Sequence, residues 1–451
     1  MQATDPGSQC GAVQWRHVLL DECTRLGWTA ISVLSPSAGP SPRLSRTRSP
    51  VLHTAVPVTP ITLAAARPSD PGDARVRSVG ILSTFPPTSC GIATFSAALA
   101  AGLIADGISV DVVRCGPSPD VEDVLVVASL AEGAGSGWSA SIDALNRSEL
   151  VIVQHEYGLY DGPDGESLLD LIEAISVPIV VVAHTVLSEP TPNQQRVLEH
   201  LCAAADAVVV MTETAQARLL ARFDVDATKV SVIPHGAATP AAAMPDGPRG
   251  PGVRPRVLTW GLLGPGKGIE WAIDALAQLV DLDPRPEYVV AGATHPKVRE
   301  QHGEAYRDML VERAAASTAP ADVSFDDAYR DLASLTELIA SADVVVLPYD
   351  SQEQVTSGVL VDAVAAGRPV VSTAFPHAIE LLASGAGIVV PQRDPVALGR
   401  AIRSVLADPR LAASMAAEAR RLAPELAWSA VAHRYSLLAD RVVASRQPMR
   451  A

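Results

Sequence analysis

Lysine is almost missing from this 451-residue chain, with only Lys229, Lys267 and Lys297 present. Basic residues of both kinds number 35 against 50 acidic ones, a formal charge of −15. A nucleic-acid binder carries a basic footprint, and an anchor to an anionic membrane needs clustered Lys or Arg. Neither is visible, so neither partner is expected. Cysteine is sparse as well. Cys10, Cys23, Cys90, Cys115 and Cys202 are an odd, widely spaced set with no C-x-x-C pair. Such spacing fits neither a disulfide framework nor a zinc site and predicts reduced thiols. No apolar run reaches the roughly 18–20 residues that cross a bilayer. The longest, such as 177–187, have the length and β-branched content of buried strands. The opening MQATDPGSQC lacks the basic start and apolar core of a signal peptide. These absences predict a soluble, cytoplasmic protein.

What is present is a large apolar reserve: 48% hydrophobic and 19% charged residues, enough for two or three domains. Residues 1–75 are rich in Pro, Ser, Arg and Ala without a sustained period, and carry +2, leaving −17 for the rest. They are expected to be a disordered extension, with a short helix near 13–26. Regular alternation starts after them. Strand-like runs at 79–84, 110–115, 150–154, 179–183, 207–211 and 230–233 are separated by helical stretches at 92–106, 166–175, 193–205 and 214–223. A Pro- and Gly-rich segment, 237–255, reads as a linker. Strands then return at 257–262, 288–291, 323–325, 344–348, 369–372 and 387–390. Helices are expected at 269–280, 298–315, 332–340 and 358–366, with C-terminal helices to about 443. Continuous apolar strands alternating with helices predict parallel sheets covered on both faces. The expected domains are therefore 76–236 and 256–451, both Rossmann-like α/β, with ligands in the crevice between them.

Four motifs carry chemistry. WGLLGPGKGIEWAI (260–273) runs from a strand through a glycine-rich loop into a helix. Glycines such as Gly266 let backbone approach a ligand, the helix start offers free amides, and Lys267 adds a full charge. Gly268 stands where a P-loop has its magnesium-holding Ser or Thr, so phosphate binding without a metal clamp is the reading, against a tight turn with an incidental lysine. LPYDSQEQVTSGVLVDAVAAGRPVVST (347–373) runs from a strand through a polar loop into a helix, where Thr356 or Ser357 caps the helix or its amides receive an anion. Asp362, one turn inside, is placed to accept from hydroxyls. Histidines stand at strand ends, His155, His184 and His235, where an α/β sheet meets its ligand crevice. FPPTSCGIATF (85–95) joins the first strand to its helix through Cys90–Gly91. No H-E-x-x-H and no G-x-S-x-G is present.

In order and spacing these motifs resemble the family 4 retaining glycosyltransferases of GT-B fold, over roughly 76–443. The counterparts are SCGIATF, AHT, VIPHG, GLLGPGKG and QVTSGVLVDAVAAGRPV. The resemblance implies two Rossmann-like domains facing each other across a cleft, an N-terminal acceptor domain and a C-terminal nucleotide-sugar donor domain. It implies that Lys267, with amides near Thr356, Ser357 and Gly358, neutralises the donor diphosphate, and that Asp362 holds the ribose. It places His184 beside the reacting sugar, and Gly91 where a loop approaches the phosphates. Glu380 falls at the glutamate of a G-G-x-P-E turn, although TAFPHAIE lacks the glycines.

The chain departs from the family at Leu262, where an Arg is usual, and at Gln354, the first position of E-x7-E, with Glu353 one place out of register. Asp362 is one methylene shorter than the usual Glu. His184 and Gln354 remain the catalytic candidates. The expected activity is metal-independent, retaining transfer of a hexosyl group from a nucleotide-diphosphate sugar to a glycan, small-metabolite or lipid acceptor, as in carbohydrate biosynthesis. No cofactor is expected beyond the donor. The alternatives are a degenerate nucleotide-sugar-binding protein, or an epimerase or phosphorylase on the same fold.

Overall fold

A computed structural model describes residues 75–116, 123–130, 137–238, 252–319, 322–328, 330 and 332–446. The expected extension 1–75, apart from its last residue, and most of the expected linker 237–255 lie outside the described residues. The N-terminal body holds strands β1 (Ser78–Ser83), β2 (Ser109–Cys115), β3 (Val126–Leu130), β4 (Leu150–His155), β5 (Ile179–Ala183), β6 (Ala207–Val210) and β7 (Val230–Val232). They pair, all parallel, in the order β3-β2-β1-β4-β5-β6-β7. Its helices are α1 (Gly91–Ala105), α2 (Trp138–Leu145), α3 (Ser167–Glu173), α4 (Pro192–Ala204) and α5 (Glu213–Arg222).

The C-terminal body is a second parallel sheet. Its strands are β8 (Arg256–Trp260), β9 (Glu287–Ala291), β10 (Val323–Asp326), β11 (Val344–Leu347), β12 (Val370–Thr373) and β13 (Gly387–Val390), in the order β10-β9-β8-β11-β12-β13. Helices α6 (Ile269–Ala275), α7 (Pro296–His302), α8 (Ala305–Ala315), α9 (Leu332–Ala340), α10 (Gly358–Ala365), α11 (Pro376–Leu382), α12 (Pro395–Ala407), α13 (Pro409–Leu426) and α14 (Trp428–Arg446) complete it. The expected helix 298–315 is two helices, because Gly303 sits at φ 61 between α7 and α8.

Central strands such as β5 are buried residue by residue, which is why their sequences read as unbroken apolar runs. Each sheet carries a core on both faces. In the first, Val151, Val153 and Val181 face α3 and α4, while Ile81, Val112 and Val182 face α1. The expectation that the C-terminal helices belong with the second body needs correction for the last of them. Val431, Tyr435, Leu438 and Val442 of α14 pack with Phe95, Leu99 and Leu103 of α1. Amphipathic α14 therefore crosses back and covers the outer layer of the first sheet. At the crossing, the Ala237 N–H donates to Leu426 O at 2.7 Å and the Trp428 N–H to Ala237 O at 3.1 Å. Two chain segments thus join the bodies side by side.

The strand order reverses between β1 and β4 in one sheet and between β8 and β11 in the other. At such a reversal neighbouring strand-end loops diverge and leave a crevice.

Candidate functional site

The loops leaving β8 and β11 meet at the second reversal point. The Asp350 N–H donates to Gly266 O at 3.1 Å, tying the two loops together. Gly268 has φ +62, and a Cβ there would collide with the carbonyl of Pro348. Only glycine combines that backbone with that approach. The turn lays Lys267 Nζ over the Tyr349 ring, 4.3 Å from its centroid. His295 lies close enough to Lys267 and Lys297 that burial and both ammonium groups hold its pKa below the usual histidine value. Two of the three lysines thus converge on one end of the cleft.

The start of α10 faces this loop. Ser357 caps it, its Oγ accepting from the Leu360 N–H at 3.3 Å, and the Ser357 N–H itself donates to His377 Nδ1 at 2.8 Å. The amides of Gly358 and Val359 lie in the first turn, where no intrahelical acceptor exists. Thr356 Oγ1 is buried with no hydrogen-bond partner. One turn on, Asp362 lies deep enough that burial pushes its carboxyl from 3.8 to about 7, and no protein donor among the described residues offsets this. A polar hydroxyl and a carboxylate without partners are what an absent hydroxyl-bearing ligand leaves behind.

The first body brings its strand ends opposite. His184, just past β5, has Nε2 2.7 Å from Gln154 Oε1 at the end of β4, while Gln154 Nε2 is buried and unpartnered. Burial, His235 and His155 push the His184 pKa down to about 3, so the ring is neutral. Phe95 holds His184 and His235 edge-on at 5.0 and 5.1 Å. The His235 ring in turn abuts Gly358, where a Cβ would come within 2.9 Å of Cε1 and Nε2. A continuous chain of contacts therefore runs from His184 through Phe95 and His235 to the start of α10. Beside it, Glu156 accepts from Thr185 Oγ1 at 2.6 Å and from the Tyr157 N–H at 3.0 Å, and burial raises its carboxyl.

The remaining candidates sit differently. Gly91 begins α1 beyond the Cys90 cap, exposed, with open space where a Cβ would be. Gln354 turns its amide back onto Thr356 O. Glu380 reaches out of the C-terminal body and caps α5, accepting from the Glu213 and Thr214 N–H groups at 2.9 Å each and from Thr214 Oγ1 at 2.6 Å. Glu353 also reaches across to the first body nearby. It accepts from the Ser188 N–H at 2.8 Å, from Ser188 Oγ, and from Arg218 Nη1 at 2.7 Å. Lys297 Nζ donates to Gly158 O at 2.9 Å, and Thr212 Oγ1 to Val355 O at 3.1 Å. These contacts hold the two walls together.

Sequence reasoning passed over Gln154, Glu156, Tyr349 and His377. Gln154, Glu156 and Tyr349 stand at or just beyond a strand's carboxyl end, the only local signal that pointed to them, while His377 lies in the first turn of α11. Among the described residues no three His, Cys, Asp or Glu side chains converge as a metal-binding group, and no helix is long and apolar enough to cross a membrane.

Residues 90–239 match the family model described as Glycosyltransferase Family 4, and residues 254–408 the one described as Glycosyl transferases group 1. A D-inositol 3-phosphate glycosyltransferase of Corynebacterium glutamicum is 25% identical over 399 residues, 79% of this chain and 93% of the relative. One from Corynebacterium efficiens is 27% identical over 284 residues, and the match spans only 65% of that relative and 58% of this chain. In fold, the chain is similar to a sucrose-phosphate synthase from Thermosynechococcus elongatus at TM-score 0.64 and 20% identity, covering 82% of this chain and 100% of that one. Anabaena HepE in complex with UDP and glucose superposes at TM-score 0.63 and 16% identity, covering 80% and 98%.

Proposed function

Because this chain belongs to the family 4, group 1 glycosyltransferases of GT-B fold, we propose that it moves a hexosyl group from a nucleoside-diphosphate sugar to an acceptor hydroxyl. We further propose that configuration is retained and that no metal takes part. The observation that carries this reading is the second reversal point, where Lys267, the unpartnered Thr356 Oγ1, the α10 amides and the unpartnered Asp362 share one cleft wall. Lys267 and the amides would hold the diphosphate, and Asp362 would accept from two vicinal ribose hydroxyls. Departure of the diphosphate builds negative charge there, and charges fixed before reaction stabilise it best. Gly91 would admit the phosphates to the opposite wall.

His184 is neutral and ends where the two walls meet, which suits a group that donates to or accepts from a sugar hydroxyl. The polar cluster of Gln154, Glu156 and Thr185 beside it suits a hydroxylated acceptor. The UDP-bound neighbour favours a uridine donor, and the inositol phosphate named for the relatives favours a small polyol acceptor, ahead of a glycan or lipid. Such a chemistry fits a cytoplasmic enzyme of carbohydrate biosynthesis.

A second reading has its own support: Gln354 is folded onto its own loop, and Glu353 and Glu380 tie the walls together. A protein that binds the nucleotide sugar without transferring it would look the same. Thermal stabilisation of the full chain by UDP, GDP, ADP and NAD, with and without Lys267→Ala, tests the donor site. A ligand at about 100 times its dissociation constant adds roughly 2.7 kcal/mol. Stabilisation by one diphosphate that disappears in K267A supports the site, and an equal response of K267A refutes it. Release of that diphosphate on adding polyol acceptors, with the product anomer read by NMR, separates transfer from binding.

A further inference from the structure

Behind the two loops of the cleft lies the turn Phe375–Pro376–His377, which leads from β12 into α11. Phe375 is fully buried and stacks on Tyr349, with ring centroids 5.0 Å apart and planes 24° apart. Tyr349 is the ring beneath the Lys267 ammonium. Two residues on, His377 grips the other loop twice. Its backbone N–H donates to Gln354 O at 3.3 Å, and its Nδ1 accepts from the Ser357 N–H at 2.8 Å. The ring is only 4% exposed.

We propose that His377 is a positioning residue of the donor site, a neutral imidazole whose Nδ1 fixes the 354–358 segment so that Thr356 Oγ1 and the α10 amides face the diphosphate. This inference rests on the donor-site reading above. Accepting at Nδ1 requires the ring proton to sit on Nε2, since a backbone N–H cannot donate to a protonated nitrogen. Burial and the neighbouring His235 keep the ring from charging until the pH falls to about 3, so the acceptor persists at any physiological pH. Without it the Ser357 amide is buried and unmatched, a loss that loosens the loop rather than the sheet.

Side-chain length discriminates this role from simple packing. Asparagine sets its Oδ1 near the place of Nδ1, while glutamine carries its oxygen one bond farther out. Hydrogen exchange of the 354–358 amides in the full chain is therefore compared for wild type, His377→Ala, His377→Gln and His377→Asn. Exchange rises roughly tenfold in H377A and H377Q and returns close to wild type in H377N. Calorimetric titration with UDP, GDP and ADP then shows a dissociation constant raised about tenfold in H377A and restored in H377N. Unchanged exchange in H377A, or no rescue by H377N, overturns the inference even if no nucleotide binds. Failure of the wild-type chain to bind any of the three refutes instead the donor-site reading, while the exchange measurement still decides the clamp.

Discussion

Breaking the ion pair between Arg218 and Glu353 tests whether the walls of the cleft are held by charge. The two side chains are 14% and 15% exposed, so most of their hydration is gone. Arg218 also donates to Val186 O at 2.9 Å, and Glu353 accepts from the Ser188 N–H at 2.8 Å. Removing one partner of a fully buried pair costs about 3–5 kcal/mol, and one charge-assisted hydrogen bond is worth roughly 1.5–3 kcal/mol. With some water left at both groups, Arg218→Met is expected to lose about 2–3 kcal/mol. A double-mutant cycle with Glu353→Gln in urea unfolding should give a coupling of about 1.5–2.5 kcal/mol. The internal control is Arg196 with Glu166, 2.7 Å apart but 52% and 39% exposed, whose coupling should stay under about 1 kcal/mol. At about 1 M salt the control coupling should vanish, while the Arg218–Glu353 coupling keeps most of its value. A coupling below about 0.5 kcal/mol, or one that screens away like the control, would show that this contact does not bind the walls.

Gly268→Ala should leave helix content by circular dichroism unchanged yet weaken nucleoside-diphosphate binding at least tenfold, because φ +62 and the Pro348 carbonyl force the Lys267 loop to move. Wild-type affinity in G268A would remove that loop from the site. Asp362→Asn should bind nucleotide poorly and yet resist urea better at pH 8. Native Asp362 holds its proton to about 7 and the unfolded chain only to 3.8, so this one group takes stability away from the wild type as pH rises from about 4 to 7. The advantage of D362N is at most about 4 kcal/mol above pH 7. It shrinks as pH falls through 7 and is gone near 4. His155 and His235 charge only near pH 4, and His184 and His377 near 3, whereas the unfolded chain protonates at 6.5. Stability present above pH 6.5 should therefore fall toward pH 4, by up to about 1.4 kcal/mol per unit for each ring, against the opposing slopes of Asp362, Glu156 and Glu270, whose carboxyls burial raises. A urea midpoint that stays level between pH 7.5 and 5 would contradict those burials.

The parallel sheets were legible because runs such as 150–154 and 179–183 leave no polar face. β3 was passed over although 124–128 is an apolar run; it lies at the edge of its sheet with mixed burial. Glycines around Lys267 pointed to backbone approaching a ligand, whereas the close approach that requires Gly268 is to the carbonyl of Pro348. The destinations of Glu353 and Glu380 could not be read, because a carboxylate on a cleft loop can face a ligand or the opposite wall with the same neighbours in sequence. The apolar stripe of α14 announced a buried face but not the body that buries it. His377 carries no spacing signature at all; its partner Ser357 is twenty residues away.

The return of α14 also bears on how the chain is made. A ribosome releases the first body early, but the face of α1 formed by Phe95, Leu99 and Leu103 has no cover until α14 emerges. At about 5–20 residues per second that delay is on the order of tens of seconds. During synthesis the N-terminal body is thus an unfinished intermediate with an apolar surface open to chaperones or to a neighbouring nascent chain. The two bodies are also inseparable by a cut near residue 238, since the piece containing the first sheet would lack the helix that closes its core. The two halves of the cleft are therefore completed together only once α14 has been translated.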